Sequence, residues 1–141
     1  MRVTPYLNFA GNAAEAFRFY EQALGGKITF LQTHGDSPMK DHVSAEWADK
    51  VMHVTLEADG FMLMASDAPP ERYEAPRGLY VSLHAKDADE AERLYAALSA
   101  QGSIEMPLQE TFWTKRFAMF TDRYGTPWMI NCEEAPPGAM S

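Results

Sequence analysis

The sequence contains a single cysteine, Cys132, so no internal disulfide can form. Basic residues are also scarce: 12 Lys and Arg stand against 20 Asp and Glu, a formal net charge of −8. That balance opposes sequence-independent attraction to phosphate backbones and anionic lipid surfaces, so neither nucleic acid nor membrane is expected as a partner. No apolar run approaches the roughly 20 residues that span a bilayer. The opening segment MRVTPYLNF lacks the charged-then-apolar order of a secretory signal, and a cytoplasmic protein is expected. The four histidines, His34, His42, His53 and His84, make no HxH or HxxxH pair. No glycine-rich loop follows a strand and opens a helix, which removes the usual mark of a nucleotide cofactor.

What is present is apolar material in a repeated order. In a chain of 141 residues, 46% hydrophobic content suffices for the core of one ordinary domain. The segment NAAEAFRFYEQAL matches DADEAERLYAALS at a spacing of 75: Ala13 with Ala88, Glu15 with Glu90, Ala16 with Ala91, Arg18 with Arg93, Tyr20 with Tyr95. One residue more of offset aligns Gly26 with Gly102 and Ile28 with Ile104, so the likeness continues past the helix exits. Asn12 with Glu15, and Asp87 with Glu90, have the spacing of a capping box. Ala16, Phe17, Tyr20, Ala23 and Leu24 fall on one helical face, as do Ala91, Leu94, Tyr95 and Leu98. Gly25-Gly26 and Gly102 are the expected exits.

Short apolar or alternating runs flank each helix: VTPYLNF before the first and KITFLQT, VMHVTLEA and FMLMAS after it, then LYVSLHA before the second and IEMPLQET, KRFAMFT and PWMINC after it. The order reads βαβββ twice. Asp59-Gly60 and DRYG at 122–125 are the expected tight turns. Residues 33–50 form a long polar insertion of the kind that covers sites; in it His42 and Glu46 are four apart and would share a face if 40–49 were helical. One domain over 1–141 is thus expected, with a first module at 3–66, a proline-rich linker at 67–77, a second module at 78–133 and a flexible tail at 134–141.

The segments PYLNFAGNAAEAFRFY, HGDSP, LMASDAPP, VSLHAKDADEAERLY and MPLQETFWTKRFAMFTDRYGTPWMIN together resemble the vicinal oxygen chelate superfamily, which includes glyoxalase I, ring-cleaving dioxygenases and bleomycin and fosfomycin resistance proteins, and within it the PhnB-like branch. The resemblance runs from Thr4 to about Glu133. It implies an α+β fold in which two tandem βαβββ modules form a curved eight-stranded mixed sheet with a concave groove, and a homodimer. Members of the branch are often labelled 3-demethylubiquinone 3-methyltransferase, a label the missing glycine-rich loop does not support.

Enzymes of this superfamily hold a divalent ion with His, Gln or Glu from the first and last strands of each half. Here the corresponding slots fall between Thr4 and Tyr6, near Met62 to Met64, on Tyr80 and on Met129. Thioethers and phenols are poor seats for hard cations, so no metal or other cofactor is expected. An ion at a displaced site, for instance between His53 and His84, is the disfavoured alternative.

Strand alternation divides the rings and polar groups. Leu7, Phe9, Leu79, Val81, Leu83, Trp128 and Ile130 are expected in the core. Tyr6, Asn8, Met64, Tyr80, Ser82, His84, Met129 and Asn131 are expected to line the groove, an apolar surface with a few directed polar groups that suits a small organic molecule. Trp113, Arg116 and Phe117 would close its rim, with Arg116 holding a carboxylate or phosphonate, although a surface ion pair is the simpler role for that arginine. Trp47 would cap the groove or pack at a dimer interface. Two functions remain open: a metal-free binding protein of the glyoxalase and bleomycin resistance type, and a lyase, isomerase or dioxygenase using a metal or acid–base chemistry by His84 with Tyr80 or Tyr6. Cys132 has no partner that marks a catalytic thiolate and is expected to be structural.

Overall fold

The computed structural model describes residues 1–132; the expected tail at 134–141 lies outside the described residues. The chain divides into two compact units, Met1–Ala75 and the portion from Pro76 onward. The first contains β1 (Tyr6–Phe9), α1 (Ala13–Leu24), β2 (Lys27–Thr33), β3 (Val51–Ala58) and β4 (Phe61–Asp67). The second contains β5 (Val81–Ala85), α2 (Ala88–Ser99), β6 (Ser103–Gln109), β7 (Phe117–Thr121) and β8 (Pro127–Cys132). The βαβββ order read from the sequence is present in both units. Hydrogen bonding yields two four-stranded mixed sheets, β1-β4-β3-β2 and β5-β8-β7-β6. In each, the first strand runs parallel to the last and the other pairs are antiparallel.

Alternation sends one set of side chains from each sheet against its helix. In the first unit Leu7, Phe9, Val54, Leu56, Leu63 and Ala65 are buried with Ala16, Phe17 and Tyr20 of α1. The Phe9 ring meets Phe17 edge-on at 6.2 Å and Tyr20 at 6.4 Å. In the second unit Phe120, Trp128 and Ile130 meet Ala91, Leu94 and Leu98 of α2, with Tyr95 edge-on to Phe120 at 5.7 Å. Each fully buried large side chain contributes about 1.5–3 kcal/mol relative to exposure. Leu79 is not in this core: it is 52% exposed, because β5 begins only at Val81.

The two helices start differently. Asp87 caps α2 as expected, accepting from the Glu90 amide at 2.8 Å, while the Glu90 carboxylate accepts from the Lys86 amide at 3.0 Å. Asn12 makes no side-chain cap. Its task falls to Asp67 at the end of β4, whose Oδ1 accepts from the Gly11 and Ala13 amides at 3.0 and 2.9 Å and whose Oδ2 accepts from the Val51 amide at 2.8 Å. One buried carboxylate thereby ties the start of α1 to the start of β3.

The turn DRYGTP is organised by another buried carboxylate. Asp122 Oδ1 accepts from the Tyr124 and Thr126 amides at 2.8 and 3.1 Å, and Oδ2 accepts from the Trp128 indole at 2.8 Å. A short acidic turn residue therefore anchors the largest ring of the second core.

Candidate functional site

The helix covers one face of each sheet and leaves the other open. On the open face of the first sheet, Tyr6 lies opposite Met64, Met64 opposite Thr55, and Thr55 opposite Phe30, a row that crosses all four strands. Beside it, Asn8 lies opposite Ser66 and His53 opposite Gln32. Hydrogen bonds stitch the rows together. The Tyr6 hydroxyl is 3.1 Å from His53 Nδ1, and His53 Nε2 is 3.0 Å from Thr55 Oγ1. Each hydroxyl can donate or accept, so either imidazole tautomer is accommodated. The His53 ring stands 5.6 Å from that of Tyr6 and 5.8 Å from that of Phe30. Ser66 Oγ donates to Asn8 Oδ1 at 3.3 Å.

The open face of the second sheet has the same plan with different chemistry. Ser82, Met129, Met119 and Met106 form one row, and His84, Asn131, Phe117 and Gln109 the next. Ser82 Oγ is 3.4 Å from His84 Nε2. Trp113, in the loop before β7, donates its indole N–H to Asn131 Oδ1 at 3.4 Å and meets Phe117 at 5.2 Å and Phe112 at 4.8 Å. Of the residues expected to bind a ligand, Tyr6, Asn8 and Met64 thus share one face, and Ser82, His84, Trp113, Phe117, Met129 and Asn131 share another.

Three are placed elsewhere. Tyr80 precedes β5 and donates from its solvent-facing hydroxyl to Glu105 Oε2 at 2.6 Å. That hydrogen bond, with some desolvation and the carboxylate's charge, raises the phenol pKa above its ordinary value. Arg116 takes the surface ion pair that was its simpler reading: its guanidinium reaches Glu92 of α2 at 3.2 Å and donates to the Lys115 carbonyl at 2.8 Å. Trp47 stands beside His34, ring centres 6.3 Å apart, within the 34–50 segment. That segment holds only a 3-10 turn, Lys40–His42, instead of the helix that His42 and Glu46 would share.

Several open-face residues went unselected in the sequence: Phe30, Thr55, Ser66, Met106, Met119 and Gln109, and His53 was considered only as a ligand of a displaced ion. Alternation in VMHVTLEA does separate His53 and Thr55 from Val54 and Leu56, but β3 is neither the first nor the last strand of its module. In β2 and β6 the register shifts between Ile28 and Phe30 and between Ile104 and Met106, so simple alternation could not have assigned their faces.

A model of the Glyoxalase/Bleomycin resistance protein/Dioxygenase superfamily matches residues 2–130. The chain belongs to this superfamily. It is 34% identical to Protein YjdN of Escherichia coli strain K12, over 97% of this chain and 99% of that protein. Among solved structures of the superfamily fold, protein PA1353 from Pseudomonas aeruginosa is 48% identical with a TM-score of 0.86, covering 94% of this chain and 98% of its own. A PhnB protein from Bacillus cereus, 22% identical, shares the fold with a TM-score of 0.78 over 94% of this chain and 99% of its own, and the PhnB-like resemblance rests beside it.

Two facing pairs of posts fall at or beside the slots that the resemblance points to on the first and last strands: Tyr6 with Met64 and Ser82 with Met129, with Tyr80 just ahead of β5. A phenol, an alcohol and two thioethers supply no anionic oxygen, amide oxygen or imidazole, so these residues do not fit a hard divalent ion. Among the described residues no group of three or more His, Cys, Asp or Glu is arranged to hold a metal.

Proposed function

We propose that this chain captures a small organic molecule on the open faces of its sheets without a metal ion, and that it works as a cytoplasmic homodimer. The observation that carries this reading is the identity of the four posts. Where the superfamily's enzymes need cation donors, each module presents a thioether beside a neutral hydroxyl, and the surrounding positions mix Met, Phe and Tyr with Asn, Ser and His. Thioethers adapt to varied apolar shapes, and the few polar groups orient what binds. No helix of the described residues is long and apolar enough to cross a membrane, in keeping with a protein that meets its ligand in water.

A second reading, acid–base catalysis without metal, is favoured by one arrangement: His53 held between the Tyr6 and Thr55 hydroxyls, where an imidazole can relay a proton to a phenol. His84 beside Ser82 is the corresponding group of the second module. Tyr80, its hydroxyl donated to Glu105 and its pKa raised by that bond, is not placed to serve as a base.

A thermal-shift screen of metals, antibiotics, α-keto thioesters and phosphonates tests the proposal, followed by light scattering for the dimer. A ligand at about 100 times its Kd stabilises the folded state by about 2.7 kcal/mol. We expect organic compounds and not divalent ions to raise the melting temperature, and Met64→Glu or Met129→Glu to abolish that rise. One tightly held ion per chain after dialysis would sink the proposal, and turnover of a ligand lost in His53→Ala but retained in His84→Ala would establish the second reading instead.

A further inference from the structure

A cavity of about 660 Å³ lies within the first unit and away from the rows described above. One wall is the 34–50 segment, contributing His34, His42, Glu46, Trp47 and Lys50; the other is the start of the linker, contributing Pro69, Pro70, Glu71 and Arg72. Both walls are built. The His34 amide donates to the Lys50 carbonyl at 2.9 Å and the Gly35 amide to the Ala48 carbonyl at 2.8 Å, continuing the β2–β3 pairing into the insertion. Gly35 permits this: a Cβ there would come within 2.8 Å of the Ala48 carbonyl oxygen. On the opposite wall the Arg72 and Tyr73 amides donate to the Pro69 carbonyl at 2.8 and 3.0 Å.

The charges are unusual for so acidic a chain. Lys50 and Arg72 both line this cavity, and neither forms an ion pair with a described residue. The Lys50 ammonium lies along Gly11, Nζ 3.6 Å from where a Cβ would stand. Trp47 and two prolines line the same cavity, as does His34, whose shielded Nε2 has no hydrogen-bond partner. We infer that this cavity is a second binding site, for a small organic anion: a flat apolar body lies against Trp47, Pro69 and Pro70, and its carboxylate or phosphate is held by Lys50 and Arg72. Glu46 and Glu71 line the same cavity and repel an anion, so the charged group is expected at the Lys50 and Arg72 side, away from these carboxylates.

Benzoate and its neutral counterpart benzyl alcohol serve as probes, with binding followed on the three indole N–H signals of ¹⁵N-labelled protein, that of Trp47 assigned by its loss in Trp47→Phe. We expect benzoate to move the Trp47 signal saturably while leaving that of Trp113, on the second sheet's open face, in place. Benzyl alcohol should bind about tenfold more weakly, and Lys50→Gln with Arg72→Gln should weaken benzoate by about tenfold or more while a dispersed amide spectrum shows the variant folded. Equal affinity for the two probes, an unchanged benzoate affinity in the double variant, or no saturable Trp47 shift would each overturn the site. A shift confined to Trp113 would overturn it while supporting capture on the open face.

Discussion

Asp67 and Asp122 occupy positions that a composition-based reading would assign to solvent, yet both are nearly inaccessible. Each satisfies three groups that folding removes from water: Asp67 three backbone amides, Asp122 two amides and the Trp128 indole. Removing a carboxylate of this kind strands buried donors at about 1–3 kcal/mol apiece when none can recover water. Asp122→Ala is therefore expected to destabilise the protein by about 3 kcal/mol, seen as a lowered urea midpoint with unchanged slope. An effect below about 1 kcal/mol would mean that the turn reorganises around water. Tyr80 provides a residue-scale test of opposite character. Its pKa is raised in the folded chain, so whatever the bond to Glu105 contributes is present at neutral pH and is lost as pH rises through the folded value, above about 10. Glu105→Gln should lower the Tyr80 pKa toward that ordinary value in an NMR titration of the ring; a phenol unmoved by the substitution would show that the bond does not set it.

The helices, the strands and the two-residue turn at Asp59-Gly60 were legible because each has a local cause: a 3.6-residue apolar period, a two-residue period, a tight turn that brings Ala58 opposite Phe61. What was not legible depends on contacts from distant strands. Asn12 has the right identity and spacing for a cap, but Asp67, 55 positions later, takes the role. The aligned glycines Gly26 and Gly102 were read as part of the helix exits, and their structural reason is different. A Cβ at Gly26 would stand 2.8 Å from the Glu57 carbonyl oxygen, and one at Gly102 would collide with the Thr121 carbonyl oxygen. The left-handed residues are Gly25 after α1 and Gln101 after α2. Gly25, with positive φ and open space around it, is expected to accept Ala at about 1–2 kcal/mol. Gly26→Ala should cost more, since a strand backbone must move. Chemical denaturation of the two variants compares them, and equal losses would refute the close-approach explanation.

Across the whole chain the repeat was visible, but its exact offset decides which residues count as equivalent. The helices align at 75, whereas β1 and β5 align at 76, Leu7 with Leu83 and Phe9 with Ala85, all turned to the helix side. Three residues, 10–12, separate β1 from α1, and two, 86–87, separate β5 from α2; Gly11 absorbs the extra one at φ 119°. At the strand offset Tyr80 corresponds to Thr4 and Ser82 to Tyr6, and register pairs Ser82 with Met129 as Tyr6 pairs with Met64. This bears on metal dependence, because Ser82 is small and leaves room that a tyrosine would fill. If these four side chains alone keep a cation out, supplying donors should create a site for one. Ser82→His with Met129→Glu places an imidazole and a carboxylate at facing positions of the second module, and Tyr6→His with Met64→Glu does so in the first. The unsubstituted protein is expected to show the same melting temperature with EDTA as with zinc or manganese, and the fourfold variant to gain a metal-dependent rise. A rise in the unsubstituted protein would show that a cation finds donors outside the posts; no rise in the variant would show that more than four side chains separates this chain from a metal site.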